Sequence, residues 1–260
     1  MRQVRIKVVK IVTMLLLWLL FAAQTSAEPS CTLAAASDLI PVMADLKSAF
    51  AKEHPQTQVK VSFGSSGNFF AQIRNGAPLD LFLSADTNYP SMLIKYGSGD
   101  PDSLTLYAIG HLVLWTSTSN LPISTNLSAL VTNAGISRIA LPNPSHSPYG
   151  RAAKSALEHL GLWSSLQHKL VLGENAAQAM QFAQSGHAQV SMLPLSMAQN
   201  RPEGSGNFVK IPPEWHPPIH QAGVLTTQGS QNPVARQFLA FLVSQSGKQI
   251  FASHGFSLPD

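Results

Sequence analysis

"QVKVSFGSSGNFFAQIRNGAPLDLFLSAD", residues 58–86, decides the fold. Val59, Val61 and Phe63 alternate with polar residues, the period of two expected of a half-buried strand. After "GSSGN", "FFAQIRNG" reads as a short helix closed by Gly76. "LDLFLSA" is apolar on both faces, the pattern of a strand buried in a parallel sheet. The turn between strand and helix holds hydroxyls and backbone amides, with no acid, base, lysine or metal ligand in "FGSSGNFF".

The same rhythm extends outward. Upstream, "CTLAAAS" is a short apolar strand, followed by a helix with Leu39, Met43, Leu46 and Phe50 on one face. Ser37 stands at the N-cap position, Pro41 suits the first turn and His54-Pro55 ends the helix. Downstream come a helix in "DTNYPSMLIKYG" and one long strand, "TLYAIGHLVLWT", with Gly110 inside it as a crossing between domains. "RIALPNP", "KLVLG" and "AQVSMLP" are then strands, alternating with helices in "YGRAAKSALEHLG", "ENAAQAMQFAQSG" and "SMAQN". Residues 200–218 are irregular, a second crossing. "HQAGVLTT" is a returning strand, and "NPVARQFLAFLVSQSGKQIF" reads as a single helix. This alternation predicts an α/β fold of two lobes, each a mostly parallel sheet with flanking helices, and a cleft at the carboxyl ends of the strands. Residues 28–110 with 216–260 are expected to form the first lobe and 111–215 the second.

Arg2, Arg5, Lys7 and Lys10 precede an apolar run from Ile11 to Ala23, with Thr25 and Ala27 at the small-residue sites, the order of a secretory leader ending at residue 27. The run is shorter than the roughly 20 residues of a spanning helix. The chain has 17 basic and 13 acidic residues, and the four basic ones in the leader account for the whole net charge of +4. The body is therefore neutral, which gives no basis for nucleic-acid binding. Cys31 is the lone cysteine, so no internal disulfide forms; it reads as a core thiol, with a lipid anchor as the alternative.

Ser37, Ser65, Ser66, Ser145, Ser147 and Tyr149 fall in strand-to-helix turns, and "LGEN" leads into Ala176 in another. A helix N-terminus presents unpaired N–H groups and a partial positive charge, so it holds anions without charged side chains. Several such ends in one cleft would surround a small oxyanion with neutral donors. Ordinary capping, tight turns and packing of the Tyr149 ring explain each position equally well when taken singly.

"LAAASDL", "FGSSGNF" with "GAPLDLFLSAD", "RIALPNPSHSPYGRAAKSALEHLG" and "FLVSQSGKQIFASHGF" resemble the periplasmic molybdate-binding proteins of ABC importers, over essentially the whole chain after the leader. The resemblance implies a two-lobed periplasmic protein that holds molybdate or tungstate without a cofactor. It also implies a monomer whose partners are an inner-membrane permease and its ATPase. Carried over by motif, it puts the ligand contacts on Ser37, Ser66, Tyr149 and Ala176, which meet molybdenum through its oxygens alone. Ser65 and the Asp38 amide are additional contacts, with the Asp38 carboxylate turned away along the first turn. Some members carry a tyrosine after the strand matching "QVSML"; here Pro194 stands there, with neither amide hydrogen nor hydroxyl.

A fully deprotonated tetrahedral anion presents only acceptors and fits a pocket of donors. A protonated anion such as hydrogen phosphate leaves its own donor unpaired, at a cost of about 1–3 kcal/mol. Sulfate, thiosulfate and phosphate remain the alternative ligands. A serine hydrolase built on Ser66 is the rival enzyme reading, although "GSSGN" does not meet the G-x-S-x-G pattern. His216 and His220 are four apart, but in a proline-rich stretch with no further ligand motif. On the hypothesis that the Tyr149 hydroxyl replaces the contact missing at Pro194, Tyr149→Phe weakens molybdate binding in calorimetry. Unchanged affinity refutes that role.

Overall fold

The computed structural model describes residues 28–259, residue 119 aside, and the expected leader lies outside the described residues. Two five-stranded sheets organise the chain. The first holds β1 (Ser30–Ala36), β2 (Gln58–Gly64), β3 (Leu81–Ser84), β4 (Thr105–Gly110) and β10 (Ile219–Leu225), in the order β2-β1-β3-β10-β4. The second holds β5 (Leu112–Thr116), β6 (Ile139–Pro142), β7 (Leu170–Gly173), β8 (Val190–Pro194) and β9 (Asn207–Lys210), in the order β7-β6-β8-β5-β9.

Each sheet is mixed by a single reversed strand, and the other four strands share one direction, in keeping with the mostly parallel expectation. β1 is parallel to β2 and β3, whereas β10 runs antiparallel to β3 and β4. Likewise β6 is parallel to β7 and β8, and β5 is antiparallel to β8 and β9. A parallel neighbour needs a crossover, usually a helix, to turn the chain round. β5 has none, because it enters the second sheet straight from β4 with His111 alone between them. The run 105–116 is thus two strands in two sheets. The irregular stretch 200–218 also contains β9, an edge strand that sequence alone did not reveal.

The helices are α1 (Ile40–Glu53), α2 (Ser66–Arg74), α3 (Asn88–Lys95), α4 (Ala129–Thr132), α5 (Pro148–His159), α6 (Trp163–Leu166), α7 (Ala176–Gln184), α8 (Leu195–Gln199), α9 (Pro233–Leu242) and α10 (Gln245–Ser253). α1 buries Val42, Met43, Leu46 and Phe50, and Phe50 meets Phe238 of α9 edge-on at 5.1 Å. The expected single C-terminal helix is two. Ser244 caps α10 by accepting from the Gly247 amide at 3.2 Å. A Cβ on Gly247 would lie 2.4 Å from the Phe241 carbonyl oxygen, so this elbow has room only for hydrogen.

Cys31 lies within β1 in the first core, fully buried. Burial, with a smaller contribution from the charge of Asp80, pushes its thiol up to about 12. A buried side chain between core residues cannot carry a lipid, so the core-thiol reading stands over the anchor. Ellman's reagent is expected to leave the native protein unlabelled at pH 8 and to titrate one thiol after unfolding in guanidinium, because only the thiolate reacts; rapid native labelling would contradict this placement.

Candidate functional site

Four strands stop side by side and hand over to helical turns. β1 ends at Ala36 paired with Gly64 at the end of β2, and β6 ends at Pro142 paired with Gly173 at the end of β7. α2 starts with Ser65 as its cap, whose Oγ accepts from the Asn68 amide at 3.3 Å. Ser147 caps α5 through the Gly150 amide, with Pro148 in the first turn where no N–H is needed. Asn175 caps α7 through the Gln178 amide at 3.1 Å. These caps satisfy donors deeper in each first turn. The amides of Ser66, Tyr149 and Ala176 come earlier and have no partner within their own helices.

Ser37 is not an N-cap, contrary to the sequence reading. It opens a 3-10 turn, Ser37–Leu39, that leads into α1, and no side chain caps that turn. Pro41, lacking an N–H, removes part of the need for a cap. The Ser37 hydroxyl instead reaches the other sheet's side, where its Oγ accepts from the Ala176 amide at 3.1 Å. Ser66 Oγ accepts from the Ala85 amide at 3.0 Å, which leaves its own hydrogen to give elsewhere.

One cavity joins these groups. Ser37, Asp38, Ser65, Ser66, Tyr149 and Ala176 all line it, with Ser147 beside them, and it leaves about 10 Å³ for the centre of a water-sized sphere. No lysine, arginine or histidine lines it among the described residues. Pro194 ends β8 opposite Leu112 and is not part of the lining.

The Asp38 carboxylate turns away from the first turn toward β10, where its Oδ2 accepts from Gln221 Nε2. Asp38 is 1 % exposed and its Oδ1 has no partner among the described residues. Burial pushes its pKa up to about 6, against the opposing hydrogen bonds from Gln221 and Tyr149. Gln221 Nε2 also donates to the Tyr149 hydroxyl at 3.2 Å, and the Tyr107 hydroxyl donates to Gln221 Oε1 at 3.0 Å. Burial pushes both tyrosine hydroxyls well above their usual range. Asp38 and Tyr149 of this network were named from the sequence, whereas Gln221 showed only as a polar residue inside the apolar run "HQAGVL".

The rim is tied across the cleft by side chains that sequence reasoning passed over. Arg151 of α5 pairs with Asp86 and donates to the Tyr89 hydroxyl at 3.2 Å. His146 Nδ1 meets Ser65 Oγ at 2.9 Å, and the Gly67 amide donates to the His146 carbonyl at 2.9 Å. Asn68 Nδ2 donates to Glu174 at 3.3 Å. A serine-histidine contact therefore exists, but on Ser65 rather than Ser66, and Glu174 stands 3.7 Å from the far side of that ring and is exposed. His216 Nδ1 meets the Pro217 carbonyl and His220 is exposed on β10.

Two mixed α/β lobes that meet over a small buried cleft define the two-lobed solute-binding class. The chain belongs to the bacterial extracellular solute-binding proteins, whose family profile matches residues 31–257. It is 33% identical over 241 residues to the molybdate-binding protein ModA of Azotobacter vinelandii, covering 92% of this chain and 94% of that one. It is also 33% identical over 198 residues to ModA of Rhodobacter capsulatus, covering 76% and 77%. The solved periplasmic molybdate-binding protein of Azotobacter vinelandii superposes with a TM-score of 0.80, covering 88% of this chain and 100% of that one.

Gly67 tests the closed arrangement. A Cβ there would lie 2.6 Å from the Tyr89 hydroxyl and 2.8 Å from the His146 carbonyl. Overpacking costs about 1–3 kcal/mol, so Gly67→Ala is expected to weaken ligand binding roughly ten- to hundredfold. Its scattering curve with ligand should be more open than that of the parent protein. Equal affinity and equal scattering would show that closure does not bring these atoms together.

Proposed function

We infer that this chain captures molybdate outside the cytoplasmic membrane and delivers it to an ABC importer. One observation carries the reading: a chain similar along its length to molybdate-binding proteins has, at its cleft, a cavity lined by serine and tyrosine hydroxyls and helix-start amides and by no basic side chain among the described residues. Ser37, Ser66, Tyr149 and Ala176 are the ligand contacts in this proposal, with Ser65 and the Asp38 amide beside them. They meet the anion's oxygens, and none ligates the metal atom itself.

The Ser37 Oγ–Ala176 amide bond closes the cleft where the anion would sit. An entering anion replaces it, accepting from both the Ser37 hydroxyl and the Ala176 amide. The Ser66 hydroxyl, oriented by the Ala85 amide, is a further donor. Hydrogen bonds to a charged acceptor are about twice as strong as neutral ones, and helix N-termini add a favourable field. Parting and closing of the lobes, with boundaries at residues 110–111 and 215–216, then converts ligand binding into a shape that a permease reads.

Tungstate, with the same tetrahedral set of acceptors, is the companion ligand. The protein works in this reading as an exported monomer without cofactor or catalysis, its cargo passing to a membrane permease and ATPase. Calorimetry of residues 28–260 with molybdate, tungstate, sulfate and phosphate tests it. Tight binding of the first two and weak binding of phosphate are expected, with Ser66→Ala at least about tenfold weaker from one lost charge-assisted bond. Stabilisation by sulfate alone would assign another oxyanion, and ester cleavage abolished by Ser65→Ala or Ser66→Ala would assign a hydrolase.

A further inference from the structure

A carboxylate does not belong beside a doubly negative guest, yet Asp38 lines the cavity. Its two oxygens are unequal. Oδ2 is engaged by the Gln221 amide, while Oδ1 is buried with no partner among the described residues. Buried polar atoms are nearly always paired, and an orphan calls for an explanation. In the ionised form, Oδ1 is one more unpaired acceptor on a residue lining the cavity, whose proposed guest offers only acceptors. Protonated, it is the donor that such an anion lacks.

Resting on the oxyanion reading above, we propose that Asp38 is a proton-linked donor: anion binding draws one proton from solvent onto Oδ1, which then donates to an anion oxygen. Tyr149, whose hydroxyl faces the same carboxyl and accepts from Gln221 Nε2, stays in place beside it. The proton thus adds one donor to the cavity.

The surroundings favour proton uptake over an ion pair. From β10, Asp38 meets the neutral Gln221; the Tyr149 hydroxyl faces it from α5, and the Tyr107 hydroxyl of β4 stands behind Gln221, both hydroxyls held neutral by burial. Residues 176–184 and 195–199, packed against the Ser37–Leu39 turn, carry no ionisable side chain. Lys60 on β2 is exposed, and Arg151 is paired with Asp86 at the rim. Burial has already moved the acid up to about 6, and a neighbouring dianion moves it further in the same direction.

The sign follows from linkage. Between the free and the anion-bound pKa, each anion bound takes up close to one proton, so Kd rises about tenfold per pH unit as pH increases. Below about pH 6 the slope flattens, because the free protein is already protonated. Calorimetry of residues 28–260 with sodium molybdate, from about pH 6 to 8.5 and in two buffers of different ionisation enthalpy, reads both slope and proton uptake. Asp38→Asn should abolish both. His146→Gln, which alters the rim histidine next to Ser65, should leave both in place. Circular dichroism and thermal unfolding establish that each variant is folded. Molybdate binding with no proton uptake, or an unchanged slope in Asp38→Asn, would overturn this inference and leave the proposed function intact. A slope lost in His146→Gln would move the linkage to that histidine. No binding of molybdate or tungstate at any pH would overturn the proposed function, and this inference with it.

Discussion

The first amides of a helix have no partner inside it, and this one constraint arranges the whole cleft. Ser66, Tyr149 and Ala176 bring such amides to one cavity, where β1 ends level with β2 and β6 ends level with β7. Side-chain caps from Ser65, Ser147 and Asn175 satisfy the amides that follow. What is left over is a set of donors with a positive field and no mobile charge. Such donors bind without the strongly hydrated head of a lysine, and their geometry is fixed by the backbone rather than by a flexible stem.

In the proposed reading the same atoms serve closure and capture. Ser37 Oγ accepts from the Ala176 amide across the cleft, so that amide is satisfied in the closed form, and in the proposed reading an anion offers it and the Ser37 hydroxyl a stronger acceptor. Around that centre the rim contacts of Arg151, His146 and Asn68 hold the two sides in register. Behind it, the Tyr107–Gln221–Asp38 network links β4, β10 and the start of α1. Gly110 sits beside this network because any Cβ there would lie 2.1 Å from the Tyr149 hydroxyl. The strand that passes from one sheet to the other therefore touches the site directly.

Much of this was legible in the sequence wherever a local rule had no competitor. The strand 58–64, the helix after "GSSG" and the buried strand 81–84 follow from periodicity, and the serine-bearing turns mark the cavity. Tertiary context decided the rest. Ser37 has the composition of a cap but spends its hydroxyl on a residue 139 positions away. Strand direction depends on pairing partners, which periodicity does not encode, so the antiparallel placing of β5 and β10 was invisible. The break between α9 and α10 lies within one continuous apolar stripe, and only Ser244 and Gly247 mark it.

The position of β10 has a consequence for how the chain is made. It lies between β3 and β4, yet it is the last strand in the sequence. Residues 112–210 contain every strand of the second sheet and emerge as one continuous piece, able to assemble on its own schedule. The first sheet must wait, with the facing edges of β3 and β4 unsatisfied, until residues 219–225 slot between them. A nascent chain is thus kept open at its centre until nearly the whole polypeptide exists, and the final strand locks it shut.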